Sequence, residues 1–158
     1  MGKFFQVYSG KSILLGLLVI AASCNPSTQE SKEKETPSVF TEKLLSEGEK
    51  RIDVYYFHNR MRCPSCIALE ETAQKTIYTS YPGMIEQGNL TFHILSMDTP
   101  RNQWIAEKYQ AFGPTLIVSK KNGQQEEVID LTGDGFRYAM RDEARFASII
   151  KNTIEQEF

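Results

Sequence analysis

Two cysteines three positions apart, Cys63 and Cys66, are the residues whose type and spacing point most directly to chemistry. They enclose Pro64-Ser65 and follow an apolar, β-rich stretch over Ile52–Phe57. If the motif opens a helix, Cys63 lies beside unpaired backbone N–H groups at the positive end of the helix dipole, which favour its thiolate. Cys66 is then one turn away, close enough to attack a mixed disulfide formed on Cys63. The spacing therefore predicts Cys63 as the nucleophile and Cys66 as the resolving thiol.

Two arginines, Arg60 and Arg62, shortly precede the first cysteine. Their positive charges could lower the pKa of the Cys63 thiol further. The alternative is a solvated basic loop that has no effect on the thiol. The sequence does not decide between the two.

The N-terminus has the pattern of a targeting segment over residues 1–23. Lys3 and Lys11 supply positive charge, Ile13–Ala22 is an apolar run, and Ala22-Ser23 is a small-residue cleavage site. The run is too short for a transmembrane helix, which needs about 20 apolar residues. We therefore expect a signal peptide that is cleaved after Ser23.

Cleavage there would place Cys24 first, and Ile20–Cys24 resembles the lipobox of bacterial lipoproteins. The resemblance implies that Cys24 carries lipid and anchors the protein in the bacterial cell envelope, facing the periplasm. Asn25 differs from the aspartate that retains lipoproteins in the inner membrane, so the outer membrane is favoured. An ordinary secretory peptide with an incidental cysteine is the alternative.

A lipidated Cys24 leaves Cys63 and Cys66 as the only other cysteines, so they do not belong to a disulfide framework. Residues 24–38 contain no large apolar side chain and should form a disordered tether, followed by a folded domain over residues 39–158. An apolar fraction of 41% suffices for one core, and a formal charge of −2 gives no case for nucleic-acid binding. We expect a monomer.

The pattern of apolar residues predicts alternating helices and strands. Strands are expected over Ile52–Phe57, Leu90–Ser96, Thr115–Val118 and Glu127–Leu131, the last two joined by a hairpin at Lys121–Gly123 and followed by breakers at Gly133 and Gly135. Helices are expected near Val39 (Phe40, Leu44 and Leu45 on one face), from Cys63 to Pro82-Gly83 (Ile67, Ala73, Ile77), from Thr99-Pro100 (Trp104, Ile105, Tyr109) and from about Arg141 (Phe146, Ile149, Ile150, Ile154). Such a chain builds an α/β fold with a central mixed sheet of about four strands and helices on both faces.

A second motif, Phe112-Gly-Pro-Thr115, leads directly into an apolar strand, and the segment Glu107–Gly123 resembles the thioredoxin segment that carries a cis-proline. The resemblance extends from about Arg51 to the end of the sequence and implies a thioredoxin-like fold. It also implies that Pro114 is cis, packs beside the dithiol and leaves backbone free to pair with an extended substrate. A plain turn proline is the alternative.

Two departures from the thioredoxin pattern bear on function. Arg62 stands where a tryptophan usually precedes the first cysteine, and the buried acid that assists proton transfer has no counterpart at Val54, Tyr55 or Tyr56. Asp53 is near, but a shift of one residue would place it on the other face of the strand. These departures favour a specialised protein with a dedicated partner over a general reductase.

A narrower resemblance rests on Tyr55–His58, Arg62–Cys66 and Leu69-Glu70. These segments resemble the thioredoxin-fold proteins described as nitrophenyl-compound nitroreductase subunits, the ArsF family. The resemblance implies an accessory role in an aromatic-compound or arsenical nitroreductase system, and it makes His58 a family feature close to the dithiol. His58 could then donate or accept a proton, or be structural.

The sequence thus predicts a thioredoxin-like thiol–disulfide oxidoreductase whose Cys63–Cys66 pair exchanges disulfides with a protein partner, without a cofactor. The chief alternative is an envelope metal-binding module in which both cysteines and His58 or His93 would hold Cu(I) or zinc. The pair is half of a structural zinc site, and no second cysteine pair completes it. A further alternative is an inert domain of the same fold that only binds partners.

Overall fold

A computed structural model describes residues 48–157. The predicted signal peptide, the tether with Cys24 and the helix expected near Val39 lie outside the described residues. In chain order the elements are β1 (Lys50–His58), α1 (Pro64–Ser80), α2 (Pro82–Glu86), β2 (Leu90–Ser96), a 3-10 helix (Pro100–Asn102), α3 (Gln103–Lys108), β3 (Thr115–Asn122), β4 (Gln125–Asp130), α4 (Thr132–Tyr138) and α5 (Glu143–Glu155).

The central strand β1 is the element on which the site is built. Its residues from Asp53 to Phe57 are all buried, as expected for a strand covered on both faces. The strand order is β2-β1-β3-β4, with β1 parallel to β2 and antiparallel to β3, and β3 antiparallel to β4. The predicted α/β fold with a mixed four-stranded sheet is confirmed.

Side chains of β1 alternate between the two faces of the sheet. Val54 and Tyr56 belong to a core cluster with residues of α1 and α5. Tyr55 and Phe57 belong to a second cluster with residues of α3. Helices therefore cover both faces of the sheet, as predicted, and the arrangement is that of a thioredoxin-like fold.

Helix α1 begins where the cysteine motif predicts and buries Ala73 and Ile77. Ile67 was expected on the same face but is 38% exposed, because six residues of helix turn it well away from Ala73. The helix ends at Ser80, as predicted. Pro82 does more than stop it, since it begins the short helix α2.

The helix predicted from Thr99 is split into a 3-10 turn and α3, and Thr99 makes no side-chain capping hydrogen bond. Ile105 and Tyr109 are buried, as predicted. The prediction for Trp104 was wrong, because this side chain is 39% exposed beside its buried neighbour Ile105. Adjacent residues on a helix point about 100° apart, and the side of α3 that faces the core carries Ile105 and Ala106, which leaves Trp104 at its edge.

The region after β4 differs most from expectation. Gly133 and Gly135, predicted to break a strand, lie in helix α4. A Cβ added to Gly135 would lie 2.6 Å from Cδ1 of Leu69, so the missing side chain lets α4 approach α1 closely.

The last helix, α5, begins at Glu143, two residues beyond the predicted start, and Asp142 caps it by accepting a hydrogen bond from the Arg145 amide. It buries Phe146, Ile150 and Ile154 as predicted, whereas Ile149 is half-buried. Within the part of the chain described, no helix is long and apolar enough to cross a bilayer.

Candidate functional site

Cys63 and Cys66 form a disulfide at the N-terminus of α1, with their Cα atoms 5.1 Å apart. Cys63 is the N-cap residue, and its sulfur accepts a hydrogen bond from the Cys66 amide at 3.2 Å. The Ser65 hydroxyl lies 3.1 Å from the same sulfur. A helix N-terminus that directs a backbone amide and a hydroxyl at the Cys63 sulfur is a favourable setting for a thiolate.

The two sulfurs differ in access. Cys63 is exposed, whereas Cys66 is 5% exposed and belongs to the core. Only Cys63 can therefore meet a partner protein, and Cys66 can act only on what is already bonded to Cys63. This asymmetry is the geometry expected for a nucleophile and a resolving thiol.

Tyr56 lies directly beneath the resolving cysteine, on the face of β1 that α1 covers. Its side chain is completely buried, and its hydroxyl donates a 2.7 Å hydrogen bond to the backbone carbonyl of Cys66. The bond ties the first turn of α1 to the central strand. Burial raises the pKa of the Tyr56 hydroxyl, and the hydrogen bond and charge of Arg62 oppose that rise.

Arg62, the residue before the nucleophile, is not a free basic group on a solvated loop. Its guanidinium is 5.8 Å from the centre of the Tyr56 ring and forms an ion pair with Glu70 of α1. The side chains of Arg62 and Glu70 are 27% and 12% exposed. Part of the guanidinium is buried: the Nε atom of Arg62 is inaccessible to solvent and has no hydrogen-bond partner among the described residues.

His58 and Pro114 lie at the same end of the sheet as the dithiol. β1 pairs Phe57 with Thr115, so the next residues along the two strands, His58 and Pro114, emerge side by side where β1 leads to α1. The ring of His58 stacks near that of Tyr56, with 6.1 Å between centroids. Pro114 is half-buried. Its cis geometry and the roles of both residues stay predictions.

Asp53 is on the other face of β1, as the one-residue shift predicted. It is 3% exposed and accepts hydrogen bonds or ion pairs from Arg51 at 2.9 Å, His93 at 3.3 Å and Lys121 at 3.2 Å. Burial acts to raise its pKa, but the His93 hydrogen bond and the charges of Arg51 and Lys121 outweigh this, so the pKa lies below its ordinary value. Asp53 is therefore a buried ion-pair partner, separated from Cys66 by the sheet.

His93 is drawn into the same opposite-face cluster. Its ring stacks on Tyr55 with 4.7 Å between centroids, and its Nε2 faces Asp53. It therefore cannot join the two cysteines as a ligand. Across residues 48–157, no three His, Cys, Asp or Glu side chains are grouped so that they could hold a metal ion.

Two large apolar side chains are exposed on the loops that flank the dithiol. Met61, two residues before Cys63, is 89% exposed, and Phe112, two residues before Pro114, is 88% exposed. Beside Phe112 lies an open groove of about 450 Å³ that extends past Asn59. Exposed apolar groups next to a reactive sulfur are typical of a surface that receives a partner.

Tyr56 and Glu70 are the residues at this site that the sequence did not single out for a role. The sequence does carry a signal for each. Tyr56 is two residues from Val54 and so lies on the same face of β1, and Glu70 follows Cys66 by four residues and so lies on the same side of the helix. Their partners could not be predicted, because the ion pair with Arg62 depends on how the loop before Cys63 folds back.

Comparison with known proteins gives likenesses of fold. Similar solved structures include a thioredoxin from Thermus thermophilus (23% identity over 66% of this chain and 75% of that one, TM-score 0.43). Another is thioredoxin O2 from Arabidopsis thaliana in the oxidized state, with 17% identity over 65% of this chain and 74% of that one and a TM-score of 0.42. A third is a thioredoxin-like protein from Clostridium perfringens, with 19% identity over 77% of this chain and 90% of that one and a TM-score of 0.42. No protein-family model and no curated protein matches the sequence. At these identities the chemistry of the site rests on its own geometry.

Proposed function

We propose that this protein is a thiol–disulfide oxidoreductase that acts on a protein partner in the bacterial cell envelope. The observation that carries the proposal is an exposed Cys63 at the N-cap of α1, bonded to a buried Cys66. An inert binding domain would not need a disulfide between an accessible and a protected sulfur at a helix N-terminus.

In the reducing direction, the Cys63 thiolate attacks one sulfur of a partner disulfide. The partner S–S bond breaks, a mixed disulfide forms, and the first partner thiolate leaves and takes up a proton. Cys66 then gives up its proton and attacks the Cys63 sulfur, which releases the second partner thiol and closes the Cys63–Cys66 disulfide. Two electrons pass from the dithiol to the partner, whose two sulfurs take up the proton released when Cys63 ionised and the proton given up by Cys66, and the reverse sequence oxidises a partner dithiol.

The surroundings of the dithiol support a specialised partner. Arg62 occupies the position before the nucleophile and is engaged by Glu70, while Met61 and Phe112 are the apolar groups that a partner meets first. The resemblance to nitrophenyl-compound nitroreductase subunits also supports a specialised partner, which would be a redox enzyme or a transport protein of such a system.

The proposed setting is the periplasmic side of a membrane, with the outer membrane favoured and the lipid on Cys24 as the anchor. The lipobox-like Ile20–Cys24 supports it. Replacement of Cys24 by Ala in the full chain should move the protein from the membrane fraction to the soluble fraction. Retention of the Cys24→Ala protein on the membrane would contradict the lipid anchor.

Trapping separates the roles of the two cysteines. In Cys66→Ser the mixed disulfide cannot be resolved, so adducts that dithiothreitol releases should accumulate on Cys63. The matched variant Cys63→Ser should accumulate none, because Cys66 is buried. Equal trapping by both variants would overturn the assignment, and no trapping together with a wild-type dithiol that never equilibrates with glutathione would overturn the proposed function.

A further inference from the structure

The ion pair between Arg62 and Glu70 joins the residue before the nucleophile to the helix that carries the resolving cysteine. Arg62 is bonded directly to Cys63 in the chain, and Glu70 lies one helical turn beyond Cys66. Between them, the Arg62 guanidinium lies near the ring of Tyr56, whose hydroxyl holds the Cys66 carbonyl. One small cluster therefore touches both ends of the redox motif.

The two charges of this pair are carried by residues next to the motif, since Arg62 precedes Cys63 and Glu70 is one turn of α1 beyond Cys66. Both side chains are largely removed from water, so solvent and salt screen them less than surface charges. A positive charge beside Cys63 stabilises its thiolate, and a negative charge nearby opposes this. While the pair is intact, Glu70 offsets the effect of Arg62.

Thiolate stability is linked to redox poise. A charge that favours the Cys63 thiolate stabilises the reduced form and makes the couple more oxidising, and the opposite charge makes it more reducing. His58, the last residue of β1, and Arg60, in the loop that follows, are the other titratable or charged groups shortly before Cys63, and the variants below leave both unchanged.

We propose that Glu70 is a positioning residue that holds the Arg62 guanidinium against Tyr56 and offsets its charge, so that Arg62 does not make the Cys63–Cys66 couple more oxidising. The inference deepens the proposed function and rests on it. The balance between the two charges then keeps the reduction potential of the dithiol from following the charge of Arg62 alone.

The test measures the equilibrium of the purified protein with glutathione. Glu70→Gln leaves Arg62 uncompensated and should shift the equilibrium constant toward the reduced protein by about three- to tenfold, which corresponds to ~15–30 mV more oxidising. Arg62→Gln leaves Glu70 uncompensated and should shift it by a similar factor the other way. The double variant, which removes both charges, should return to within about twofold of wild type.

The matched control is Glu143→Gln, the same substitution in an exposed pair between α5 and Lys75 of α1. It should leave the equilibrium constant unchanged. The second readout is the pH dependence of Cys63 alkylation by iodoacetamide in the reduced protein. Its midpoint should fall in Glu70→Gln and rise in Arg62→Gln, which loss of packing alone would not produce.

Shifts in the same direction for both single variants, or shifts no larger than that of Glu143→Gln, would overturn the proposal. If Glu70→Gln fails to fold, Arg62→Gln, a change in the loop, decides the question by the sign of its shift. A wild-type protein that never equilibrates with glutathione would refute the proposed function, whereas the alkylation profiles would still decide whether the pair tunes Cys63.

Discussion

The two faces of strand β1 each bury a polar cluster, and the clusters use similar groups for different purposes. On the α1 face, Tyr56 is surrounded by Arg62 and Glu70 and holds the backbone of Cys66. On the α3 face, Asp53 contacts Arg51, His93 and Lys121, and the sheet separates this cluster from the dithiol.

The difference between the faces arises from a step of a few residues along one strand. Side chains alternate with a period of two, so Asp53 and Tyr56 point to opposite sides because they are an odd number of positions, three, apart. The carboxylate on the α3 face is fully engaged and serves stability. The ion pair on the α1 face touches the redox motif, so we expect its loss to alter the dithiol more than the fold.

The largest expected effect is on stability, from Asp53→Ala. Arg51, Lys121 and His93 would lose a shared buried acceptor, and breaking a buried ion pair from one side costs about 3–5 kcal/mol. Urea unfolding of the variant and wild type measures this. The glutathione equilibrium constant should stay within about twofold of wild type; a larger shift would break the comparison between the faces.

Acid should remove part of the same stabilisation. The pKa of Asp53 in the folded protein lies below its ordinary value of 3.8, so its contribution is present above that pH and is lost as the pH falls through the folded pKa. The difference in unfolding free energy between wild type and Asp53→Asn should therefore shrink from about pH 6 to about pH 3. A difference that grows in acid would show that Asp53 is not stabilised as a carboxylate.

The next largest effect on stability is expected where α4 packs against α1. Gly135→Ala places a Cβ 2.6 Å from Leu69 Cδ1 and 3.1 Å from Phe146 Cζ, so we expect a loss of about 1–3 kcal/mol from overpacking. Gly133→Ala, in the same helix with open space around it, is the matched control and should be neutral or slightly stabilising. Thermal unfolding that ranks the two variants the other way would contradict the close approach of α4 to α1.

Removal of a single hydroxyl tests the contact beneath the resolving cysteine. Tyr56→Phe keeps the buried ring and leaves the Cys66 carbonyl without this donor, which should cost about 1 kcal/mol in unfolding free energy. Tyr78→Phe, on an exposed part of the same helix α1, is the control and should change stability by less than about 0.5 kcal/mol. Equal losses for the two variants would show that the hydrogen bond from Tyr56 to the Cys66 carbonyl adds nothing to stability.

The smallest effect belongs to the exposed pair of Lys75 and Glu143, whose side chains are 68% and 51% exposed. Glu143→Gln should change the unfolding free energy by at most about 0.5 kcal/mol, because solvent screens such pairs. Urea unfolding at low and high salt checks this. A loss comparable to that of Asp53→Ala would mean that the exposure of an ion pair does not determine how much it contributes to the free energy of unfolding.

The strands and the start of α1 could be predicted because they depend on local pattern. A buried apolar run identifies β1, and Cys63-Pro64 has the order of an N-cap and first helical residue. Helix α4 could not be predicted in this way. Gly133 and Gly135 are poor helix formers, and the reason for Gly135 is a contact with Leu69, far away in the sequence.

The same limit applies to the candidate site. The sequence identified both cysteines and the face on which Asp53 lies, since these follow from spacing and alternation. It left Arg62 between two interpretations, and neither was an ion pair with a residue of α1. That contact requires the loop before Cys63 to fold back over Tyr56, which residue types alone do not indicate.

The direction of β1 determines how the working end of the protein is presented. The nine residues of the strand carry the backbone from Lys50 to His58, a rise of roughly 26 Å, before the chain reaches the dithiol. The chain therefore enters the described domain at the end of the central strand opposite to the one that leads to Cys63. A partner that reaches Cys63 approaches the end of β1 from which the strand leaves the sheet, about the full length of the strand away from that entry.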